Sequence, residues 1–396
     1  MYEEEEQDGG KSKKEKELKL INSGAFGCIF RPNLTCDGKV GTAKYVTKIQ
    51  KNKRTIIHEL RISEKVKKIR GYVRYFAPVL KYCQVKIKKD RVKDLNKCEI
   101  FENETAKQIE SSSYVSMKTR YVGDKDLRDY IFSNKTPKIF LKELVQTHFY
   151  LLKGVQKLFA NKIVHYDLKY NNIIFDFVLK VPIIIDFGQS WCIDELKTEP
   201  EISAAFFVFE QYDYWCIDIL ICNYIIQKVG FKEAKTDLVT EAEIDQIYDV
   251  FIYGREPKYV SEEEGAKKKI LNDAYLYNIL QNQNKMLTFK SQMDEYLQPF
   301  INKRTWWELY EELLGYANTW DCYSLSIIYL NMLDDAYLSN PELYNIMLIS
   351  AGIRLDKYIE LMETIVYSTP KNRPTTQKII TGVENIIKNK QPPLPL

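Results

Sequence analysis

The sequence predicts an α+β protein whose strands come first and whose helices follow. Three stretches carry that prediction. Leu18 to Ile100 mixes short apolar runs with glycine-bearing turns, Pro137 to Asn161 carries one long apolar stripe, and from about Ala204 to the end the periodicity is mostly helical.

Element by element, Leu18 to Phe30 reads as strand, turn and strand, and Tyr45 to Ile49 alternates like another strand. Thr55 to Ile69 sets Ile56, Leu60, Ile62, Val66 and Ile69 at roughly helical spacing. Tyr114 to Met117 reads as a further strand. In the long helix Leu141, Leu144, Val145, His148, Leu151, Leu152, Val155 and Leu158 form the apolar face, and Thr136-Pro137 supplies a start with proline at the first helical position. Asn172 to Phe175 and Val181 to Ile185 fit short buried strands. Residues 1–17 alternate acidic and basic runs and are expected to be a disordered tail. The expected division is 18–122 for the strand-rich part and 123–390 for the helical part.

Composition narrows the function classes. The 396 residues are 45% apolar, enough for a real core, and 58 basic against 54 acidic residues leave a net charge of +4. That balance argues against a dedicated nucleic-acid binder, which shows a basic excess or stripe. Eight cysteines form no C-x-x-C pair and only three histidines are present, so a zinc site is not expected. The charged stretch Met1 to Lys16 has no apolar centre and does not read as a secretory signal, which suggests reduced thiols in a cytoplasmic setting. Ala204 to Ile226 is the most apolar run, but Glu210, Asp213 and Asp218 within it point to a buried helix, with no membrane span.

Chemistry concentrates in the middle of the chain. His165, Asp167, Leu168 and Asn172 follow the long helix, and Asp186-Phe187-Gly188 ends an apolar run downstream. Upstream, Asn22, Gly24, Phe26, Gly27 and Ile29 lie in a glycine-bearing turn, followed by Lys48 and then Glu59. In this order and at these separations the residues resemble the H-R-D-L-x-x-x-N catalytic loop, the D-F-G and the glycine-rich loop of eukaryotic-type protein kinases. The resemblance runs from about Leu20 to Ile387. It implies a bilobal fold: a small β-rich N-terminal lobe, a larger α-helical C-terminal lobe, and ATP between them. The pairing of Asp167 with Lys169 resembles the serine/threonine branch, which implies transfer of the γ-phosphoryl of ATP to Ser/Thr hydroxyls of a protein substrate.

The implied roles fit the residue types. Phosphoryl transfer asks for positioning and charge stabilisation more than for covalent chemistry. Asp167 is expected to orient the attacking hydroxyl and accept its proton, and Lys169 to reach the transferred phosphate. Asn172 and Asp186 offer the oxygen ligands that suit Mg²⁺. Gly24 and Gly27 let backbone N–H groups approach phosphate, and Asn22, in place of a first glycine, tolerates positive φ better than most residues. Lys48 is the expected phosphate-binding lysine, with Lys44 as alternative; Glu59 is its expected partner, with Glu64 as alternative. Thr119 to Val122 resembles the hinge that holds adenine.

Two later stretches resemble the family as well. Trp320 to Ile328 is similar to the helix that anchors the catalytic loop, making Asp321 the expected anchor and Asp213 its rival. Thr369 to Pro374 resembles the late R-P motif, with Arg373 seeking a buried acid, for which Glu210 is the candidate. With Asp321 as anchor, roughly a hundred residues more than the family uses separate it from Asp186, so an insertion is expected within about 211–305. Tyr166 replaces the motif arginine that usually holds an activating phosphate, which implies little dependence on such phosphorylation. The divergent motifs and skewed composition are similar to kinases of large DNA viruses. Two other functions compete: a pseudokinase scaffold that binds partners without transfer, and phosphotransfer to a lipid or small molecule.

Overall fold

The computed structural model describes residues 18–24, 27–51, 54–87, 97–102, 104–133, 136–253, 283–339 and 353–388. The chain is a mixed α+β protein that divides into two units. Met1–Glu64 with Ala77–Tyr121 forms the first, and Lys65–Phe76 with Val122–Leu396 the second. The expected tail, 1–17, lies outside the described residues.

The first unit is built on a five-stranded antiparallel sheet in the order β1-β2-β3-β5-β4. Its strands are β1 (Lys19–Gly24), β2 (Gly27–Arg31), β3 (Tyr45–Lys51), β4 (Lys81–Val85) and β5 (Tyr114–Arg120). β-branched and aromatic residues fill the inward positions, as a half-buried pleated surface favours. Cys28, Phe30, Ile49, Val85 and Tyr114 pack with Leu18, Leu34 and Phe101 on one side, while Val115 and Met117 pack with Ile56 and Val79 in a second cluster. Ile56 comes from helix α1 (Arg54–Lys67), and the division between the units falls inside that helix. A further short helix, α2 (Ala106–Ser111), starts on a capping box made by Thr105 and Gln108.

Two disulfides cross this unit, Cys28–Cys98 and Cys36–Cys83, with Cα separations of 5.9 and 5.8 Å. They correct the expectation of reduced thiols for four of the eight cysteines. Partners 70 and 47 residues apart meet because the sheet folds them together, and cysteine spacing along the chain carries no record of that. The other four, Cys192, Cys216, Cys222 and Cys322, are free and buried.

The second unit is mainly helical. After α3 (Leu127–Ile131), the long α4 (Pro137–Ala160) buries every residue of its predicted stripe. Strands β6 (Ile163–Val164), β7 (Ile173–Asp176), β8 (Val181–Ile184) and β9 (Trp191–Cys192) follow, then α5 (Glu199–Ala205), α6 (Ile217–Tyr224) and α7 (Glu241–Tyr253). Beyond 254–282, which lie outside the described residues, come α8 (Gln283–Leu297), α9 (Trp306–Leu314), α10 (Trp320–Ser339), α11 (Leu355–Val366) and α12 (Thr376–Lys388). The apolar run Ala204 to Ile226 begins on the last two residues of α5, is irregular from Phe206 to Cys216, and is helical again from Ile217, where all eight residues of α6 are buried. No helix among the described residues is long and apolar enough to cross a membrane.

The stretch between Gln211 and Thr305 is pinned at a narrow neck. Val239 N–H donates to the Arg304 carbonyl at 3.0 Å, Asn302 N–H to the Val239 carbonyl at 2.8 Å, and Trp306 N–H to the Asp237 carbonyl at 3.1 Å. The segment from Thr240 to Ile301 therefore leaves and returns at one place. On it, α7 and α8 pack together through Phe251 and Phe289, with ring centroids 6.1 Å apart.

The α4 stripe contains one titratable group. His148 is wholly buried, stacks on Tyr329 at 4.3 Å, and its Nδ1 lies 2.7 Å from Tyr358 Oη. Burial pushes its imidazole down from 6.5 to about 3, so the folded chain keeps it neutral while the unfolded chain protonates near 6.5. The unfolded state then holds the extra proton, and stability falls as pH drops from about 6.5 towards 3, by up to about 1.4 kcal/mol per pH unit. Urea melts between pH 7 and 4 should show a shallower decline for His148→Phe than for the wild type; equal slopes would remove His148 from this role.

Candidate functional site

Two short ladders determine where the motif residues stand. β6 pairs with β9, Ile163 opposite Cys192 and Val164 opposite Trp191. β7 pairs with β8, from Ile173 opposite Ile184 to Asp176 opposite Val181. The loop carrying His165, Asp167, Lys169 and Asn172 runs from β6 to β7, and the loop carrying Asp186-Phe187-Gly188 runs from β8 to β9. Both ends of both loops are thus fixed against each other by backbone hydrogen bonds. Ile185 joins them once more: its N–H donates to the Asn172 carbonyl at 2.9 Å, and its carbonyl accepts from His165 Nε2 at 3.0 Å. Because a carbonyl can only accept, that contact fixes the proton on Nε2.

The first loop hangs from a buried carboxylate. Asp321, in the first turn of α10, accepts from the N–H of His165 at 2.8 Å and of Tyr166 at 3.0 Å. The anchor is therefore Asp321; the alternative, Asp213, is exposed. Burial raises the Asp321 carboxyl above the ordinary range, and His165 with the two backbone bonds oppose that rise. Above Asp321, the His165 and Phe187 rings lie 5.2 Å apart edge-on, and Phe187 meets Phe76 at 6.0 Å. Nothing in the local sequence marks Phe76, which arrives here because its segment bridges to Ile184.

Of the five non-glycine residues with positive φ among the described residues, two lie in these loops, Tyr166 at 69° and Asp186 at 58°. For a bulky residue such a backbone is strained and persists only where its surroundings over-determine it. Tyr166 meets that condition. Its N–H is held by Asp321, its carbonyl accepts from Trp215 Nε1 at 2.9 Å, its hydroxyl accepts from Asn223 Nδ2 at 3.3 Å, and its ring packs against Trp215, Phe206 and Trp320.

The Asp167 carboxylate gathers the polar side chains of the loop. Lys169 Nζ lies 3.0 Å from Oδ2, and Asn172 Nδ2 donates to Oδ2 at 2.9 Å and to the Asp167 carbonyl at 2.8 Å. Tyr212 adds a donor that sequence reading missed, its hydroxyl 2.8 Å from Oδ1. Asn172 spends its Nδ2 on Asp167, which leaves Oδ1 as its oxygen for a cation. Asp186 follows the clasped Ile185, is exposed, and accepts from Gly188 N–H at 3.3 Å. Asn172 Oδ1 and the Asp186 carboxylate are hard oxygen donors of the type that Mg²⁺ takes.

In the first unit, Lys48 on β3 points to α1, where its Nζ lies 3.2 Å from Glu59 Oε2, both side chains largely buried at 13% and 6% exposure. The alternatives Lys44 and Glu64 are both exposed. Ile29 stands opposite Lys48 in the β2-β3 ladder and opposite Asn22 in the β1-β2 ladder, where Gly24 faces Gly27. Gly27 has a need of its own, with φ at 146° and an added Cβ only 2.5 Å from the Ile49 carbonyl oxygen. Thr119 is part-buried near the end of β5, opposite Val46. Phe26 lies outside the described residues.

No family model and no curated protein matches this sequence.

The partner of Arg373 corrects an expectation. Glu210 is not the acid; Asp218 is, in the first turn of α6, with Nη2 to Oδ1 at 2.8 Å and Nη1 to Oδ2 at 3.0 Å. Trp320 Nε1 donates to the same Oδ2 at 3.1 Å, and Arg373 Nη1 also reaches Thr319 Oγ1 at 3.0 Å. Helix α6 and the neighbourhood of Asp321 are thereby tied together. A signal existed, since an acid inside the most apolar run of the chain demands a buried partner. The parallel two-bond pairing sets the two charges against each other through Nη1 and Nη2. Asp218→Ala strands the guanidinium and should cost about 3–5 kcal/mol in urea unfolding, much of it recovered in Asp218→Leu combined with Arg373→Met. A loss under about 1 kcal/mol would show that the pair holds little.

Proposed function

We propose that this chain is an ATP-dependent protein kinase of bilobal, kinase-like fold, acting on serine or threonine hydroxyls of protein substrates. The observation that carries the reading is the clasp at Ile185, which holds the Asp167-to-Asn172 loop and the Asp186 loop edge to edge within one unit. The buried Lys48–Glu59 pair in the first unit supports it from independent residues.

Each group then has a task. Lys48, held by Glu59, presents a fixed ammonium to the ATP phosphates, and the Gly24–Gly27 turn brings backbone N–H groups to them. Asp167 orients the acceptor hydroxyl and takes its proton as the oxygen attacks the γ-phosphorus, while Lys169 supplies positive charge to the phosphoryl group in transfer. Asn172 Oδ1 and the Asp186 carboxylate would hold Mg²⁺, which when bound neutralises phosphate charge and orients the chain of phosphates. Tyr166 sits where the family carries an arginine, and its aromatic surroundings in place of a guanidinium favour a loop set without an activating phosphate. The segment Thr240–Ile301 is the insertion relative to the family.

Incubation with labelled ATP, Mg²⁺ and a generic protein mixture tests the reading. Wild-type protein should label phosphoserine or phosphothreonine, and Asp186→Asn should abolish the label. Asp167→Ala should reduce turnover about 10²- to 10⁴-fold, the usual worth of a positioned base. Wild-type activity in both variants would defeat the assignment.

A further inference from the structure

A carboxylate offers about four hydrogen-bonding positions, and among the described residues the contacts on Asp167 number four. Tyr212 Oη donates to Oδ1 at 2.8 Å, Asn172 Nδ2 donates to Oδ2 at 2.9 Å, and Lys169 Nζ reaches Oδ1 at 3.2 Å and Oδ2 at 3.0 Å. An acceptor hydroxyl that passes its proton to Asp167 must first bond to this carboxylate, so one donor has to leave.

The three donors are not equally held. Asn172 is fastened a second time, to the Asp167 carbonyl at 2.8 Å. Lys169 is a cation bridging both oxygens, and the charge pairing favours its retention. Tyr212 is a neutral hydroxyl with this one hydrogen bond on Asp167, carried on the irregular stretch between α5 and α6. Its ring rests edge-on against Tyr214 at 5.3 Å and Trp215 at 5.2 Å, contacts that do not involve the hydroxyl. Burial, with the Asp167 charge beside it, pushes the phenol far above its ordinary range, so the group stays a proton donor.

We infer that Tyr212 Oη stands in the acceptor hydroxyl's place on Asp167 and that the substrate must displace it, which makes Tyr212 a residue that sets acceptor affinity and selectivity. The inference rests on the kinase reading above. Exchange of one neutral hydroxyl for another on the same carboxylate is close to balanced in energy. Displacement therefore favours an acceptor that brings further contacts, a protein segment over a small free alcohol. After displacement the acceptor oxygen bonds to the γ-phosphorus, the bond from that phosphorus to the bridging oxygen breaks, ADP leaves with the electron pair, and the acceptor proton passes to Asp167. Tyr212 is not consumed.

The test compares full-length wild type with Tyr212→Phe, using ATP, Mg²⁺ and dephosphorylated casein over a range of casein concentrations. Phenylalanine keeps the ring packing and removes only the competing hydroxyl. The KM for casein should fall about 3- to 10-fold while the KM for ATP stays within about twofold, and free serine should become a better acceptor. An unchanged casein KM would overturn the inference, as would a tenfold fall in kcat at fixed KM, which would make Oη a group that positions Asp167. Should the phenylalanine variant fail to fold, Tyr212→Leu carries the same expectations. If wild type labels no acceptor at all, the kinase reading itself falls and this inference with it; activity with an unmoved acceptor KM sinks the inference alone.

Discussion

The Asp321 carboxylate is the point from which the candidate site hangs. It gives its two oxygens to consecutive backbone N–H groups, those of His165 and Tyr166. That pairing holds Tyr166 at a φ that a bulky side chain avoids, and the turn so formed leads into Asp167. Burying an acid raises the cost of its charge, and here the cost is offset by bonds that only a charged or well-placed acceptor can make. A tightly packed support is required because α10, which carries Asp321, is buried on every side over its first turns. The fold supplies it through α6, whose Asp218 binds Arg373 and Trp320 within reach of the same helix.

Tyr166, where the kinase resemblance would place an arginine, holds the neighbouring segment in its own way. An arginine there would present a charge that needs a partner. Tyr166 instead sinks its ring among Phe206, Trp215 and Trp320, and Asn223 meets its hydroxyl. Ser324 Oγ adds a bond to the Tyr214 carbonyl at 2.7 Å, from the same helix that carries Asp321. The stretch leading into α6 is thereby fixed by apolar packing and neutral hydrogen bonds, which salt and phosphate alter little compared with an ion pair.

Much of this was legible in the sequence where the information is local. Asp167, Lys169 and Asn172 share one short loop, and Asp186 ends a β-run. Glu59 was the preferred partner of Lys48 with Glu64 left as alternative, a choice that burial of Glu59 and exposure of Glu64 decide. Every residue of the predicted α4 stripe is buried because a 3.6-residue period encodes which face is buried, while Phe140, Thr147 and Gly154 join that face without having been read into it. What stayed hidden depends on residues far apart in the chain. Glu210 and Asp218 both stood near the right place for Arg373, and only three-dimensional packing chooses between them. The cysteine pairs, Phe76 beneath Phe187, and Tyr212 on Asp167 are all meetings across long loops, which no local pattern records. Gly27 shows the converse: its glycine was legible, but one reason for it, the close approach of β3, was not.

The neck at 237–239 and 302–306 brings the two ends of the long central segment together. Joining two points already close in space costs little more for a long segment than for a short one, since closure entropy grows only with the logarithm of length. The backbone bonds between Val239, Asn302 and Arg304 close that neck independently of what lies beyond it. Helices α6 and α9 continue on either side, with Tyr224 packed on Trp306 at 5.5 Å and its hydroxyl donating to Glu243 Oε1 on α7 at 3.3 Å. Beyond the neck the described helices of the segment are held by packing as well: Lys285 Nζ lies 2.6 Å from Glu363 Oε1 on α11, Phe289 meets Tyr367 at 6.4 Å, and Ile244, Tyr248, Met293 and Leu297 are buried. The neck therefore constrains where the segment starts and ends, while α7 and α8 are constrained by the helices they pack on.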